Sequence, residues 1–373
     1  MAANEGGFVN GLRRLPWLAL LMASLALALG TAACGGDDDE GDGAPAAQEE
    51  EPAEEPISVG VVSDTGGLDD RGFNEYSING FERAQEELGG EGRVYVSESA
   101  DDYLPNLTAA VDDGHDLVIA VGFLIKPALG EVAEATPDVM FAHVDGDWDN
   151  VEGDPENCQE DDTCAKPNVL GLVFPSEEPG YLAGVVAALT TKTGTVSTVG
   201  GIKIPSVDNW IAGFQQGVKD TNPDVKILEP VYSQDFVDQA KCKEIALDQI
   251  AQGSDIVFQV AGLCGLGAID AACQEGVMAI GVDADQSGAG ECVIFSALKP
   301  LDVAVFETIR AAQEGTFEGG QNRLFGVEEF PDAELLTPFT DVVPQEAQDA
   351  AAEAEEKLRS GEIDPPATLE EVQ

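Results

Sequence analysis

The chain is poor in basic residues and in the side chains that metal sites require. Only 18 lysines and arginines stand against 71 aspartates and glutamates, which gives a formal net charge of −53. So acidic a surface repels phosphate groups, which argues against nucleic acid and anionic lipid headgroups as partners. Histidine occurs only as His115 and His143, and no Cys-x-x-Cys spacing is present. No metal site is therefore expected.

The common signatures of enzymes are also missing. The sequence has neither Gly-x-Ser-x-Gly nor His-Glu-x-x-His, which are typical of serine hydrolases and zinc proteases. The glycine-rich turn at residues 260–267 lacks the Gly-x-Gly-x-x-Gly spacing of dinucleotide sites, so no cofactor is expected. Two aspartates could still serve as general acid and base. A secreted hydrolase that depends on aspartates therefore stays open as an alternative.

Long apolar runs are confined to the amino terminus. The run from Leu15 to Leu29 follows two arginines and leads to Gly-Thr-Ala-Ala-Cys34. It is too short and too rich in small residues for a stable transmembrane helix, and it is typical of an export signal. A small-residue site ending in cysteine resembles a bacterial lipoprotein signal, so residues 1–34 are expected to be a signal peptide with Cys34 acylated. Ordinary cleavage, with Cys34 removed or left as a free thiol, is the alternative.

Two acidic segments flank the body of the chain. Residues 35–56 are almost entirely Asp, Glu, Gly, Pro and Ala, a composition that cannot bury enough apolar surface to fold. We expect them to form a disordered linker. The residues after Pro344 have a helical Ala/Glu pattern, and the segment 346–373 is expected to be an acidic tail that packs loosely or not at all.

Cysteine use supports export. Six cysteines besides Cys34 are an even number, as expected for disulfides in an oxidising compartment. One pair brackets an acidic loop, and a second should lie near the amino-terminal ends of helices on one side of a sheet, which leaves the third pair together. The predicted disulfides are Cys158–Cys164, Cys242–Cys264 and Cys273–Cys292.

From residue 57 onward, short apolar runs alternate with helical patterns about every 25–30 residues, which predicts βα units and mostly parallel sheets. Ten strands exceed one domain, so two α/β lobes with a cleft are expected. The predicted strands are 57–63, 92–98, 116–121, 139–144, 169–173, 195–200, 225–232, 255–260, 277–282 and 292–296. The first lobe should comprise 57–146 and about 284–315, and the second 147–283, with an acidic insertion at 147–168, and about 316–345.

A candidate ligand site lies at the end of the first strand. Two glycines end the strand, and helical spacing begins at Phe73. Ligands of open α/β sheets bind at the carboxyl ends of strands, so ligand contact is favoured for Asp64 and Phe73. The same turn and helix start contain Thr65 and Asn74. For Asp69 and Asp70, helix capping is an equal alternative.

Other strand ends carry similar residues. They are Asp145, Trp210, Phe236, Gly262, Asp283, Asp285 and Lys299. Ionised carboxylates accept hydrogen bonds from hydroxyl and N–H groups, and aromatic faces stack on flat rings. Such a set fits a neutral, hydroxyl-rich ligand that contains a ring, and its acidity disfavours a phosphate.

Several separated motifs occur in an order that is typical of one known family. They are Asp64–Asn74, Val121-Gly-Phe123, His143-Val-Asp145, Gly200-Gly-Ile with Ala212-Gly-Phe214, Ala261-Gly and Ile280–Gln286. Together they resemble the basic membrane protein family, the substrate-binding lipoproteins of ABC transporters that include the purine nucleoside receptor group. The resemblance covers roughly residues 57–315. It implies a type I periplasmic-binding-protein fold, with two Rossmann-like lobes, three crossovers and a hinge.

For nucleoside-binding members, the resemblance implies a base stacked between two aromatic rings and a ribose held by acidic and lysine side chains. Asp64 and Asp145 would contact the base. Phe73 and Phe236 would stack on it, with Trp210 as a second candidate. Gly262, Asp283, Lys299 and Asp285 would approach the ribose. The base preference stays open, because Thr65 stands where some nucleoside binders carry an amide.

The sequence therefore predicts an extracytoplasmic binding protein, attached by lipid to the outer face of the cell membrane. It would act as a monomer without catalysis, capture a purine nucleoside or similar small ligand, and deliver it to an ABC permease and ATPase. A surface lipoprotein that senses the ligand and acts with a signalling partner is one alternative. A secreted aspartate-dependent nucleoside hydrolase is the alternative from another class.

Overall fold

Two parallel sheets organise the described part of the chain, which in this computed structural model comprises residues 56–148, 166–331 and 333–372. The strands of the first are β1 Ser58–Val62, β2 Glu91–Tyr95, β3 Leu117–Val121, β4 Met140–Val144, β5 Val169–Val173 and β12 Gln321–Leu324. Those of the second are β6 Thr195–Gly200, β7 Lys226–Ile227, β8 Val231–Tyr232, β9 Ile256–Val260, β10 Met278–Asp283 and β11 Val293–Leu298. The first sheet has the order β12-β5-β4-β3-β1-β2, and the second has the order β11-β10-β9-β6-β7, with β8 also paired to β6.

Helices cover both faces of each sheet. They are α1 Phe73–Leu88, α2 Tyr103–Asp112, α3 Lys126–Ala135, α4 Glu177–Thr190, α5 Pro205–Thr221, α6 Gln239–Ala251, α7 Gly262–Glu275, α8 Leu301–Gln313 and α9 Gln345–Arg359. Every residue of β3 and β9 is buried, because a parallel strand between two helical layers has no solvent-facing side. Each lobe therefore has two apolar cores, one on each face of its sheet.

The lobe boundaries differ from those expected. The strand β5 stays in the first sheet, paired to β4, and does not begin the second lobe. The strand β11 belongs to the second sheet, paired to β10, although the sequence predicts the range 284–315 in the first lobe. The chain changes lobe after β5, after β11 and after β12. An apolar run identifies a strand, but its place in a sheet depends on pairing with distant segments.

Two strand predictions also need correction. The predicted strand 225–232 is two short strands, β7 and β8, separated by a segment that includes Pro230; proline cannot donate to a strand ladder. The polar sequence Gln321–Leu324 forms β12 at the edge of the first sheet, paired to β5. It has no apolar alternation that would have indicated a strand.

The expected loose tail is instead part of the second lobe. The helix α9 packs against α4 and buries Ala347, Ala351 and Leu358. Although α9 is rich in acidic residues, its alanines lie along one face, and their small side chains let the helix approach the lobe closely.

Both disulfides predicted within the described residues are present. Cys242–Cys264 joins α6 to α7, and Cys273–Cys292 joins the end of α7 to the residue before β11. The predicted signal peptide with Cys34, all but the last residue of the linker, and the pair Cys158–Cys164 lie outside the described residues. None of the described helices is long and apolar enough to cross a membrane.

Candidate functional site

A cavity lies between the two lobes, where strand ends of both sheets converge, and its empty volume, which includes the solvent open to it, is about 560 Å³. Its walls contain all the predicted ligand residues except Asp285. These are Asp64, Thr65, Phe73, Asn74, Asp145, Trp210, Phe236, Gly262, Asp283 and Lys299. Because each follows or lies near a strand end, the fold brings together side chains that are far apart in sequence.

Asp64 is held at the end of β1 by the turn that follows it. Its carboxylate accepts hydrogen bonds from the backbone N–H of Thr65 at 2.7 Å and from the Tyr103 hydroxyl. The Asn74 side chain accepts from the Asp64 N–H at 2.9 Å and donates to the Thr65 carbonyl at 3.1 Å. Burial raises the pKa of Asp64 to about 6, and the Tyr103 hydrogen bond opposes that rise. This carboxylate is therefore already oriented on the cavity wall.

Asp145 and Lys299 form a buried ion pair. The Lys299 Nζ lies 2.6 Å from Asp145 Oδ1 and 2.8 Å from Oδ2. The Lys299 side chain is 3% exposed, and the Asp145 side chain is 9% exposed. The ammonium also lies 5.2 Å from the ring centre of Phe73 and 5.0 Å from that of Phe174. Aromatic faces stabilise a desolvated cation, so the only lysine among the described residues of the cavity wall is fixed in place.

Asp283 has no such partner. It ends β10 with a left-handed φ of 66°, is 7% exposed, and its carboxylate receives no hydrogen bond from the described residues. Burial raises its pKa to about 7; Lys299 opposes the rise, while Asp145 and Asp70 add to it. Asp283 lies on the cavity wall, where a donor of a ligand can reach its carboxylate. Asp283 is therefore an acceptor available to a ligand.

The aromatic residues differ in how they face the cavity. Phe73 begins α1, and Phe236 precedes α6 with its ring over Gly201, where a side chain would collide with it. Both are partly buried. Trp210 is 1% exposed and packs edge-on against Phe258 with ring centres 6.2 Å apart. Phe73 and Phe236 thus offer ring surface to the cavity, whereas Trp210 forms a wall anchored in the core.

Two aspartates of the candidate set lie in different surroundings. The Asp70 carboxylate accepts from the N–H groups of Gly72, Asn74 and Glu75 at 2.9–3.1 Å, so it caps α1, although it also borders the cavity. Asp285 lies outside the cavity; it is exposed and accepts from the Ser287 N–H at 2.9 Å. The structure therefore separates Asp285 from the other predicted ligand residues.

Several wall residues were not predicted. Phe123 follows β3, as Asp64 follows β1, and its position after a strand end could have identified it. Ser206 and Leu263 lie in the first turns of α5 and α7. Tyr103 bonds to Asp64 across 39 positions of sequence, and no local pattern signals that contact.

Comparison with known proteins identifies the family. The profile of the family described as "ABC transporter substrate-binding protein PnrA-like" matches residues 57–362. A CD4+ T-cell-stimulating antigen of Listeria monocytogenes is 32% identical over 332 residues, which cover 83% of this chain and 88% of that protein. The ABC transporter nucleoside-binding protein BmpA of Lactococcus lactis is 29% identical over 332 residues, covering 83% and 89%.

A solved structure agrees with this assignment. An ABC transporter solute-binding protein from Aeropyrum pernix K1 superposes with a TM-score of 0.73 at 27% identity, covering 84% of this chain and 95% of that chain. The two lobes, the parallel sheets and the three crossovers are those of the type I periplasmic-binding-protein fold. The chain belongs to the PnrA-like family of ABC transporter substrate-binding proteins.

Proposed function

We propose that this protein binds a purine nucleoside, or a closely similar neutral ligand, in the cavity and delivers it to the permease of an ABC importer. The observation that carries the proposal is the buried carboxylate of Asp283, unpartnered among the described residues, in a cavity that also contains two partly buried phenylalanine rings. The naming of a relative as nucleoside-binding supports the same ligand class.

In this proposal the base lies between Phe73 and Phe236, and Asp64 and Asp145 accept from its N–H groups. Asp283 accepts a hydrogen bond from a ribose hydroxyl, and Lys299 donates to the ribose while it stays paired with Asp145. Thr65, Asn74 and Gly262 complete the wall. A phosphate is rejected because its charge would face the carboxylates of Asp64 and Asp283.

Substrate-binding proteins of this family are extracytoplasmic, and the two disulfides fit an oxidising compartment. We propose that acylated Cys34 attaches this protein to the outer face of the cell membrane and that the protein acts as a monomer. Mass spectrometry of the membrane fraction tests the anchor: a diacylglyceryl group on Cys34 supports it, and an unmodified or absent Cys34 contradicts it.

Calorimetry with inosine, guanosine and adenosine tests the ligand class. We expect at least one to bind, and Phe73→Ala to weaken its binding about 100-fold, because loss of a stacking face and its buried area costs a few kcal/mol. Phe317→Ala is the matched control, since Phe317 is also partly buried against the first-lobe core but does not line the cavity. It should lower stability without changing affinity.

Each other outcome selects a different explanation. Binding of a sugar in place of every nucleoside would reject the nucleoside and keep the binding protein. Release of free base during incubation would favour the aspartate-dependent hydrolase. If deletion of the gene leaves nucleoside uptake by cells intact, delivery to a permease is wrong and ligand sensing is favoured.

A further inference from the structure

Two hydrogen bonds join the lobes outside the ligand cavity. Arg71 lies between β1 and α1 in the first lobe, and Gln286 and Gly288 follow β10 in the second. The Arg71 Nη1 donates to the Gly288 carbonyl at 2.7 Å, and the Gln286 Nε2 donates to the Arg71 carbonyl at 3.1 Å. None of the three residues lines the cavity. We call this set, Arg71, Gln286 and Gly288, the latch.

The second-lobe side of the latch is held in place by its own lobe. Gln286 is 1% exposed. Its Oε1 accepts from the Gln259 side chain at 2.6 Å and from the Val282 N–H at 3.1 Å, and its own N–H donates to Ser296 Oγ at 3.0 Å. Because the oxygen is committed within the second lobe, the amide nitrogen is directed at Arg71.

The turn that carries Gly288 is also stabilised within the second lobe. The Asp285 carboxylate accepts from the Ser287 N–H at 2.9 Å, and the Gln286 carbonyl accepts from the Ala289 N–H at 2.8 Å. These bonds shape a short turn at Ser287–Ala289. Asp285, which lies outside the cavity, therefore orders the surface that receives Arg71.

The first-lobe side of the latch lies next to the loop that carries Asp283. Arg71 has a left-handed φ of 54°, a conformation uncommon for a residue with a side chain. At Gly72, an added Cβ would lie 3.5 Å from the Gln286 Nε2 and 3.8 Å from the Asp283 Oδ2. The segment before α1 therefore lies close to both Gln286 and Asp283 of the second lobe.

We infer that the latch holds the lobes closed and sets the lifetime of the bound ligand without touching it. Both bonds must break when the lobes part, and the buried Gln286 amide then loses its acceptor, which raises the barrier to opening. Because the ligand contacts are separate, loss of the latch should accelerate ligand dissociation and leave ligand preference unchanged. This deepens the proposed function and rests on it, since it concerns regulation of the same cleft.

Arg71→Ala tests the latch directly, because the Arg71 side chain is exposed and its loss does not disturb a core. Gln286→Glu is a second variant, which keeps an oxygen for Gln259 and Val282 but removes the donor to Arg71. The matched control is Arg93→Ala, since Arg93 is an arginine of the first lobe with an exposed side chain that pairs with Asp113 in the same lobe at 3.1 Å.

The first measurement is made on the full chain without ligand. Spin labels on unnatural amino acids at the exposed positions Asn79 and Gln252 report the distance between the lobes by double electron–electron resonance. We expect Arg71→Ala and Gln286→Glu to shift the distribution to longer distances, and Arg93→Ala to match the parent. A distribution that is unchanged in Arg71→Ala overturns the latch, whether or not nucleosides bind.

The second measurement rests on the proposed function. For the nucleoside that binds best, stopped-flow dissociation should be about 3- to 10-fold faster in Arg71→Ala, as expected for loss of one solvent-exposed hydrogen bond, with the order of nucleoside preference unchanged. An unchanged dissociation rate with a bound nucleoside overturns the latch. If no nucleoside binds the parent, the proposed ligand fails, and the distance measurement decides the latch alone.

Discussion

Asp283 carries a carboxylate that is buried, unpartnered among the described residues and close to two other acidic side chains. Burial raises its pKa to about 7, above the usual value of 3.8. The folded state therefore holds a proton that the unfolded state has released between about pH 4 and pH 7. By linkage, this residue contributes stability that is present below pH 4 and lost as the pH rises through 7.

Asp283→Asn should consequently stabilise the fold while it weakens ligand binding. The amide carries no buried charge, so we expect the free energy of unfolding to rise by up to about 4 kcal/mol at pH 8, for a pKa raised by about three units, and by little at pH 4. Urea denaturation at the two pH values measures this difference. Asp285→Asn, exposed on the same loop, keeps the acceptor for Ser287 and should change neither stability nor affinity. A loss of stability at pH 8 in Asp283→Asn would show that the carboxylate has a structural partner.

At the scale of elements, α4 and α5 pack through glycines on both helices. A methyl group at any of four positions would collide with a backbone carbonyl of the facing helix. The pairs are Gly180 with Trp210, Gly184 with Phe214, Gly213 with Glu177 and Gly217 with Tyr181. Close contact of the two backbones fixes the height of α5 on the sheet, and so positions Trp210 and Ser206 in the cavity wall.

Gly184→Ala should destabilise the second lobe, because the helices must separate to admit the methyl group. Overpacking of this kind costs about 1–3 kcal/mol, which thermal or urea unfolding would detect. Gly276→Ala is the control: Gly276 has a left-handed φ of 70° and no heavy atom within 4 Å of an added Cβ, so it should cost only about 1 kcal/mol for the backbone. If Gly184→Ala costs no more stability than this control, α4 and α5 can admit a methyl group, and the close contact of their backbones is not required.

On the scale of the whole molecule, charge is the dominant feature. A formal net charge of −53 makes the compact state repel itself. Raising KCl from about 0.1 M to about 1 M shortens the Debye length from about 10 Å to about 3 Å.

We therefore expect the melting temperature to rise by about 5 °C or more over that range, measured by calorimetry, because screening weakens this repulsion. KCl is preferred to sulfate, which would also strengthen apolar burial. Affinity for a neutral nucleoside should change little, because the ligand carries no charge to be screened. A melting temperature that falls with KCl would mean that attractive pairs at the surface, such as Arg93 with Asp113, outweigh the repulsion.

Local patterns were sufficient to predict most strands and most of the cavity wall. The run Leu117–Val121 is apolar throughout, and Asp64, Asp145 and Asp283 each stand at the end of such a run. Parallel strands place their carboxyl ends at one edge, so the sequence alone allows these residues to be grouped. β12 escaped prediction, because an edge strand is defined by its partner β5 and not by its own residues.

Contacts between distant segments lay beyond any local pattern. Asp145 and Lys299 are 154 positions apart and Arg71 and Gly288 are 217 apart, and nothing in either neighbourhood indicates the other. The repeating apolar periods of this chain were enough to establish two α/β lobes and a ligand edge, since burial of each strand is a local property. Only the tertiary structure decided which lobe β5 and β11 join. It also decided that Asp145 pairs with Lys299 while Asp283 receives no hydrogen bond from the described residues. These outcomes depend on how distant segments pack, because their pairing energies are realised only when the chain has folded.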